Sequence, residues 1–202
     1  MRDQSLKEII RKRNIRDRPQ GETLPLDHQV FRTKVVTVVL REGIPLHKVD
    51  GLRDLLGSGN VRLCSSRHLA QLVPVVHEQE VTLLKSEIAG KPLGLIYDRT
   101  TRLAEALAIL VRFMDGWTIR QRLVRFDVVA KSVNAQQLAS VLLRCLATTY
   151  GIKGEQVLAC MRDGAAVNGA AMRHIQFYFP NMLDVTCFSH TISNAGQHFV
   201  CP

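Results

Sequence analysis

No two of the chain's five cysteines stand in a Cys-x-x-Cys pair, and the odd number leaves one without a partner. This pattern argues against a disulfide scaffold and is typical of a protein in a reducing, intracellular compartment. The sequence has no run of about 18 uncharged apolar residues, and its N-terminus lacks the apolar core of a signal peptide. We therefore expect a soluble protein without a membrane partner.

Acidic side chains are scarce relative to basic ones, at 18 against 27, and the formal net charge of the chain is +9. This excess favours a polyanionic partner without identifying it. Part of the charge is local, because residues 1–20 hold seven basic and three acidic side chains. Residues 1–26 are predicted to form a basic arm and linker, for which a solvated tail is the simpler interpretation.

Residues 27–90 carry the patterns of a small all-helical region. A first helix follows residue 27, a second short one covers residues 45–56, and a third runs from about residue 65 to residue 90. Pro74 predicts a kink or a late start in the third helix. The spacing of apolar residues predicts that one face of the first helix consists of Phe31, Val35, Val38 and Val39.

The periodicity changes after residue 90. Apolar and alternating runs predict three antiparallel strands at about 92–97, 106–113 and 118–126, although Arg102–Leu110 also has the composition of a helix. The remaining pattern predicts a helix capped by Asn134, a strand at 156–161, a helix at 164–178, a strand at 183–187 and a helix from about residue 189. The order β-β-β-α-β-α-β-α over residues 91–202 is that of a ribonuclease H-like α/β fold with a mixed sheet.

Two of the predicted strands end in a carboxylate, Asp98 after the first and Asp163 after the fourth. Acidic residues from these two strands meet in a ribonuclease H-like fold, so both are candidate ligands of a divalent cation. Such cations take oxygen ligands and keep water for the substrate, and two of them about 4 Å apart can stabilise both reacting oxygens of a phosphodiester. The competing interpretation for each aspartate is a helix N-cap or a turn residue, and capping is a strong competitor for Asp163.

A third acidic ligand is not evident in the sequence. The nearest candidates are predicted to lie in turns or loops, and they are Asp115, Asp127 and Asp184. A site of this kind usually needs three acidic ligands, so the predicted metal ligation is incomplete.

Cys187 and His190 form a Cys-x-x-His pair, which supplies two possible zinc ligands, and His198 and Cys201 follow closely. The intervals do not match a zinc finger. A thiol and a histidine bonded to the backbone at a strand–helix junction is the preferred interpretation, and zinc is not expected.

Basic side chains next to the predicted strands are candidates for contacts with DNA phosphates. Arg99 follows Asp98 directly, and Arg120 and Arg122 alternate along the third strand. Phosphate contacts and solvated charge on a strand face explain these residues about equally well.

Eight segments of the chain share the pattern of one protein family. They are Pro45–Asp50, Tyr97–Ala108, Val111–Phe113, Arg122–Val124, Ala130–Ser132, Thr148–Gly151, Met161–Asn168 and Asp184–His190. Together they resemble hAT-superfamily transposases and their transposon-derived relatives, over roughly residues 27–200. In that family a BED-type zinc finger precedes a helical region and a ribonuclease H-like catalytic domain, which a long helical insertion divides, and a dimerisation region follows. The resemblance implies a nuclear protein that binds DNA.

The resemblance also implies roles for particular residues. Asp98 matches the first metal-binding aspartate and Asp163 the second, and in the intact family site they bind Mg²⁺ or Mn²⁺. Asn168 matches an asparagine that often follows the second aspartate, without an assigned role. Cys187 and His190 match the family's Cys-x-x-His element, which is linked to DNA positioning or to structure.

The chain also departs from the family pattern. Arg99 stands where a small or polar residue is expected, and its cation could compete with metal or contact phosphate. The third catalytic residue, a glutamate beyond the insertion, would lie past Pro202, and neither a zinc finger before residue 27 nor a dimerisation region is present. We therefore expect a truncated chain that has little or no strand-transfer activity alone and self-associates only through regions it lacks.

Three functions remain open at this point. The first is a fragment of a DNA transposase whose intact form cleaves and joins strands by two-metal-ion chemistry. The second is a non-enzymatic, transposon-derived protein that binds nucleic acid or protein through its basic surface. The third is an unrelated α/β enzyme, which is disfavoured because the sequence lacks a glycine-rich phosphate loop and a nucleophile elbow.

Overall fold

A computed structural model of the chain describes residues 26–56, 63–100, 105–129 and 132–200, together with Glu8. The predicted basic arm (apart from Glu8 and Leu26), Cys201 and the side chain of His198 lie outside the described residues. The described residues form two compact units that divide between Leu84 and Lys85. No helix in this described part is long and apolar enough to cross a membrane.

The first unit is all helical. Its elements are α1 (Leu26–Arg41), a 3₁₀ helix (Leu46–Leu52) that continues into α2 (Arg53–Leu56), α3 (Ser66–Ala70) and most of α4 (Val73–Ile88). The third predicted helix is thus divided in two by a turn. Pro74 lies in the first turn of α4, where its missing N–H removes no helical hydrogen bond.

The core of the first unit uses most of the predicted face of α1, since Val39 is buried in it and Phe31 and Val35 pack against it. The prediction for Val38 is wrong, since this side chain is 57% exposed, whereas its neighbour Val39 is buried. Thr33 is also buried, and its hydroxyl donates to the Gln29 carbonyl at 2.7 Å, which satisfies the buried polar group. The buried side chains described in α1 are Val30, Thr33, Val36 and Val39. Of these, Val36 and Val39 form one core with Val49, Leu63, Leu69 and Val76.

The second unit is built on a mixed sheet. Its strands are β1 (Leu93–Thr100), β2 (Glu105–Asp115), β3 (Thr118–Val129), β4 (Val157–Arg162) and β5 (Leu183–Thr186). Its helices are α5 (Ala135–Leu143, continued by the π-helical segment Arg144–Thr149), α6 (Ala166–Ile175) and α7 (Phe188–Val200). The strand order is β3-β2-β1-β4-β5, with β2 antiparallel to both neighbours and β1, β4 and β5 parallel. The predicted α/β class is confirmed.

Local sequence signals account for several element boundaries. The ambiguous segment before residue 111 is a strand from Glu105 onward, because it pairs with β1 on one side and β3 on the other. Gly116 has a φ of 59°, which suits the tight turn between β2 and β3. At the start of α5, Asn134 accepts from the Gln137 N–H at 2.9 Å, and the Gln137 side chain accepts from the Asn134 N–H at 3.1 Å.

The two faces of the sheet have different surroundings. Leu95, Tyr97 and Ile109 are at most 2% exposed, and the Tyr97 hydroxyl donates to a backbone carbonyl of α6. We call this side the helix-covered face. Alternate residues point to the other side, which we call the open face, and there Leu123 is 54% and Phe126 59% exposed.

Candidate functional site

Asp98 and Asp163 lie at the same level on neighbouring strands. The last residues paired between the parallel strands β1 and β4 are Ile96 and Met161. Asp98 and Asp163 each follow two residues after this last pair. Both aspartates therefore lie at the same edge of the sheet, just beyond the paired part of β1 and β4.

Asp98 does not end its strand as the sequence predicted. β1 continues to Thr100, because this part of it still pairs with β2, where Asp98 is opposite Ala108. Only the pairing with β4 has ended before Asp98. The Asp98 side chain is exposed on the open face. It lies in one row with Ala108, its partner on β2, and Phe126, the partner of Ala108 on β3.

The Asp163 carboxylate is held by two donors, and it does not cap the helix that follows. Its Oδ1 accepts from the Ala165 N–H at 2.9 Å and from Asn168 Nδ2 at 2.5 Å. The N-cap position of α6 is occupied by Ala165, which makes no side-chain capping bond. Asp163 thus closes a turn between β4 and α6, in the manner of an Asx turn.

Asn168 connects this turn to β1. It is 1% exposed, and its backbone carbonyl accepts from the Tyr97 hydroxyl at 3.1 Å. Arg99 donates to its Oδ1 over a long 3.5 Å and to the Val133 carbonyl at 3.2 Å. Burial also raises the pKa of Tyr97, which keeps this hydroxyl a donor.

Sequence reasoning did not give Asn168 a role, although a signal was present. The apolar stripe of α6 consists of Asn168, Ala171, Met172 and Ile175, at the spacing i, i+3, i+4 and i+7. An amide at the first position of such a stripe is predicted to be buried and must find polar partners.

Arg99 lies on the opposite side of the sheet from Asp98. Successive side chains of a strand point to opposite faces, and the guanidinium of Arg99 bonds to Asn168 and Val133 on the helix-covered face. This placement separates the cation from the open face, where Asp98 is exposed.

Cys187 and His190 lie near the two aspartates at the start of α7. Cys187 immediately precedes α7, and its N–H donates to the Arg162 carbonyl at 2.6 Å. The pKa of His190 is raised chiefly by its hydrogen bond with the Cys187 side chain, and the negative charges of Asp98 and Asp163 raise it further. The pKa of Cys187 is lowered by the His190 N–H and then by the His190 side chain. The His190 imidazole therefore interacts electrostatically with both aspartates.

Arg120 and Arg122 are not brought to this edge. Arg122 pairs with Val111, three residues along β2 from the partner of Asp98, which corresponds to about 10 Å along the sheet. Its guanidinium donates to both carboxylate oxygens of Glu87, at 3.1 and 3.0 Å. Arg120 approaches Asp115 at 3.6 Å, near the β2–β3 turn.

Arg162 supports the site from the helix-covered face, a role that sequence reasoning also missed. It donates to both carboxylate oxygens of Asp184 on β5, at 2.8 and 2.7 Å, and to the Asp163 carbonyl at 2.9 Å. Gly169 of α6 lies against it, since a Cβ there would be 3.3 Å from the guanidinium. Arg162 thereby links β4, β5 and the turn at Asp163.

The donors at this edge suit a hard cation only in part. Two carboxylates match Mg²⁺ or Mn²⁺, and Mg²⁺ in particular is commonly held by one or two carboxylates while it keeps several waters. No cluster of three or more histidine, cysteine, aspartate or glutamate side chains able to hold a metal occurs among the described residues. Cys187 and His190 alone supply half of the four ligands of a structural zinc site. The donor set therefore fits a weakly held magnesium or manganese ion.

No protein-family model matches the sequence, and no curated protein matches it.

Proposed function

We propose that the chain is part of a hAT-like DNA transposase and carries the first two metal-binding carboxylates of a ribonuclease H-like catalytic domain. The observation that carries the proposal is the parallel pairing of β1 and β4, whose last pair, Ile96 and Met161, lies two residues before Asp98 and Asp163. The strand order supports it, because it makes the first and fourth strands neighbours, as a ribonuclease H-like fold requires. Such a protein would act on DNA in the nucleus.

In this proposal, Asp98, Asp163 and His190 each have a role in phosphodiester cleavage. Bound Mg²⁺ or Mn²⁺ would stabilise the attacking and leaving oxygens of a phosphodiester during strand cleavage and transfer. Asp98 and Asp163 would bind the cation through carboxylate oxygens at the edge of the sheet that they share. His190 holds a proton more readily than a free imidazole and is suited to donate to a DNA phosphate.

We propose further that this chain alone has little or no strand-transfer activity. Two carboxylates without a third leave a cation mostly hydrated, and the described residues contain no three-residue cluster of metal-binding side chains. Metal binding is consequently the property to measure first.

Thermal melting with and without MgCl₂ or MnCl₂ tests the metal site. We expect either cation to raise the melting temperature, because a ligand that binds only the folded state stabilises it. The double variant Asp98→Asn, Asp163→Asn should abolish the shift. A control with the same change of charge, Asp115→Asn with Asp127→Asn, should retain it. An unshifted wild-type melting temperature would count against the site.

A non-enzymatic nucleic-acid-binding protein is the second candidate. The incomplete set of metal ligands among the described residues favours it. Arg112 on the open face also favours it, because this arginine donates to Gln121 at 2.9 Å and the neutral amide does not compensate its positive charge. This candidate predicts DNA binding that weakens steeply with salt and does not change in the Asp98→Asn, Asp163→Asn variant. Binding that is unaltered at high salt would exclude its electrostatic form.

A further inference from the structure

The side-chain amide of Asn168 is the most deeply buried polar group beside the two aspartates. It is 1% exposed and lies one turn into α6, behind the turn that carries Asp163. A buried amide without partners would be costly, so its hydrogen bonds define its orientation.

The partners of Asn168 leave only one orientation for the amide. A guanidinium can only donate, so the Arg99 contact identifies Oδ1. An ionised carboxylate can only accept, so the 2.5 Å contact with Asp163 identifies Nδ2. The Tyr97 hydroxyl fixes the backbone of the same residue through its carbonyl. The donor to Asp163 is therefore aimed by contacts that come from β1.

We propose that Asn168 is a positioning residue that holds the Asp163 carboxylate in the orientation needed to bind a divalent cation. This inference rests on the proposed metal-binding function. Oδ1 of Asp163 is engaged by Asn168 and the Ala165 N–H, while the hydrogen bonds among the described residues leave Oδ2 without a donor. Oδ2 would be the oxygen that binds the cation.

The neutrality of the amide matters to this arrangement. A cation in direct contact with Asp163 would lower the negative charge available to a metal, whereas an amide orients the carboxylate and leaves its charge intact. Asn168 stands between Arg99 and Asp163 in the chain of hydrogen bonds, at 3.5 Å and 2.5 Å from them. The carboxylate is thus oriented before metal arrives, and less rotamer freedom is lost on binding.

The test compares metal affinity with folding stability in the full-length chain. Asn168→Ala removes the donor, and we expect Mn²⁺ binding, measured by electron paramagnetic resonance, to weaken about tenfold, as is usual when a partner that orients a metal ligand is lost. Gln156→Ala is the matched control. Gln156 also has a side-chain amide that donates to backbone carbonyls, of Ile88 at 3.5 Å and of Lys91 at 3.2 Å. It lies just before the first residue of β4, whereas Asp163 lies just after the last. This control should lower the melting temperature and leave Mn²⁺ affinity unchanged.

The outcomes separate this inference from the proposed function. If the wild type binds no Mn²⁺, or if Asp163→Asn binds it equally well, the metal site itself is wrong and the inference falls with it. If Asp163→Asn abolishes binding while Asn168→Ala retains full affinity, the metal site stands and the positioning role is refuted.

A second measurement avoids dependence on a variant that fails to fold. In the ¹⁵N-labelled wild type, we expect the Nδ2 proton resonances of Asn168 to shift as Mg²⁺ is added, with the same affinity as metal binding. The shift should be absent in Asp163→Asn. Resonances that do not respond while metal binds to Asp163 would overturn the proposal.

Discussion

Replacement of Arg162 by methionine removes the guanidinium that supports the candidate site and keeps most of the aliphatic packing of the side chain. In the wild type this group makes two hydrogen bonds with Asp184 and one with the Asp163 carbonyl. The hydrogen bond to Asp184 also raises the pKa of Arg162, so the charge persists at every pH at which the protein is studied. We expect Arg162→Met to destabilise the second unit.

The expected loss of stability follows from the burial of the Arg162–Asp184 ion pair. The Arg162 side chain is 13% exposed and that of Asp184 33% exposed. Breaking a fully buried ion pair costs about 3–5 kcal/mol, but Asp184 can regain water, so we expect a loss of about 2–3 kcal/mol. The matched control is Arg122→Met, which breaks an exposed pair with Glu87 that has side-chain exposures of 43% and 26%. That change should cost about 1 kcal/mol or less.

Native-state hydrogen exchange of the β4 amides is the suitable assay, because it reports the stability of this sheet separately from the helical unit. The loss in Arg162→Met should persist at high salt, since a mostly buried pair is screened less than an exposed one. If Arg162→Met costs no more than Arg122→Met, the inferred link between β4, β5 and the Asp163 turn is incorrect.

Two further changes probe the packing and the electrostatics of the second unit. Gly154→Ala should destabilise it by about 2 kcal/mol or more, because a Cβ would lie 2.1 Å from the Tyr178 carbonyl oxygen; urea unfolding should show no such loss for Gly94→Ala, whose Cβ meets nothing closer than 3.8 Å. Asp98→Asn should lower the pKa of His190, measured by NMR titration, because the Asp98 charge helps to raise it. An unchanged His190 titration would mean that Asp98 is not near the imidazole.

Local signals in the sequence account for much of the secondary structure. The capping pair at the start of α5 is an Asn–Gln interaction over three residues, and the turn at Gly116 depends on a glycine with positive φ. The α/β class follows from the change of period after residue 90. These features involve residues a few positions apart, so a linear pattern suffices to predict them.

Long-range packing decided the features that local signals left open or missed. Whether residues 105–110 form a strand or a helix depends on pairing with β1 and β3. Which valine of α1 is buried depends on the elements packed against it, since Val39 lies in one core with Val49 and Leu69 whereas Val38 is exposed. In neither case does the local pattern contain the partner that settles the outcome.

The sequence by itself determined which carboxylates are candidates, because Asp98 and Asp163 each follow an apolar run. Only the tertiary structure decided that they share one edge of the sheet, that Arg99 lies on the opposite face, and that Asn168 is the donor behind Asp163. The physical reason is that register and burial are set by pairing between strands 65 residues apart, whereas composition and spacing describe only neighbours along the chain.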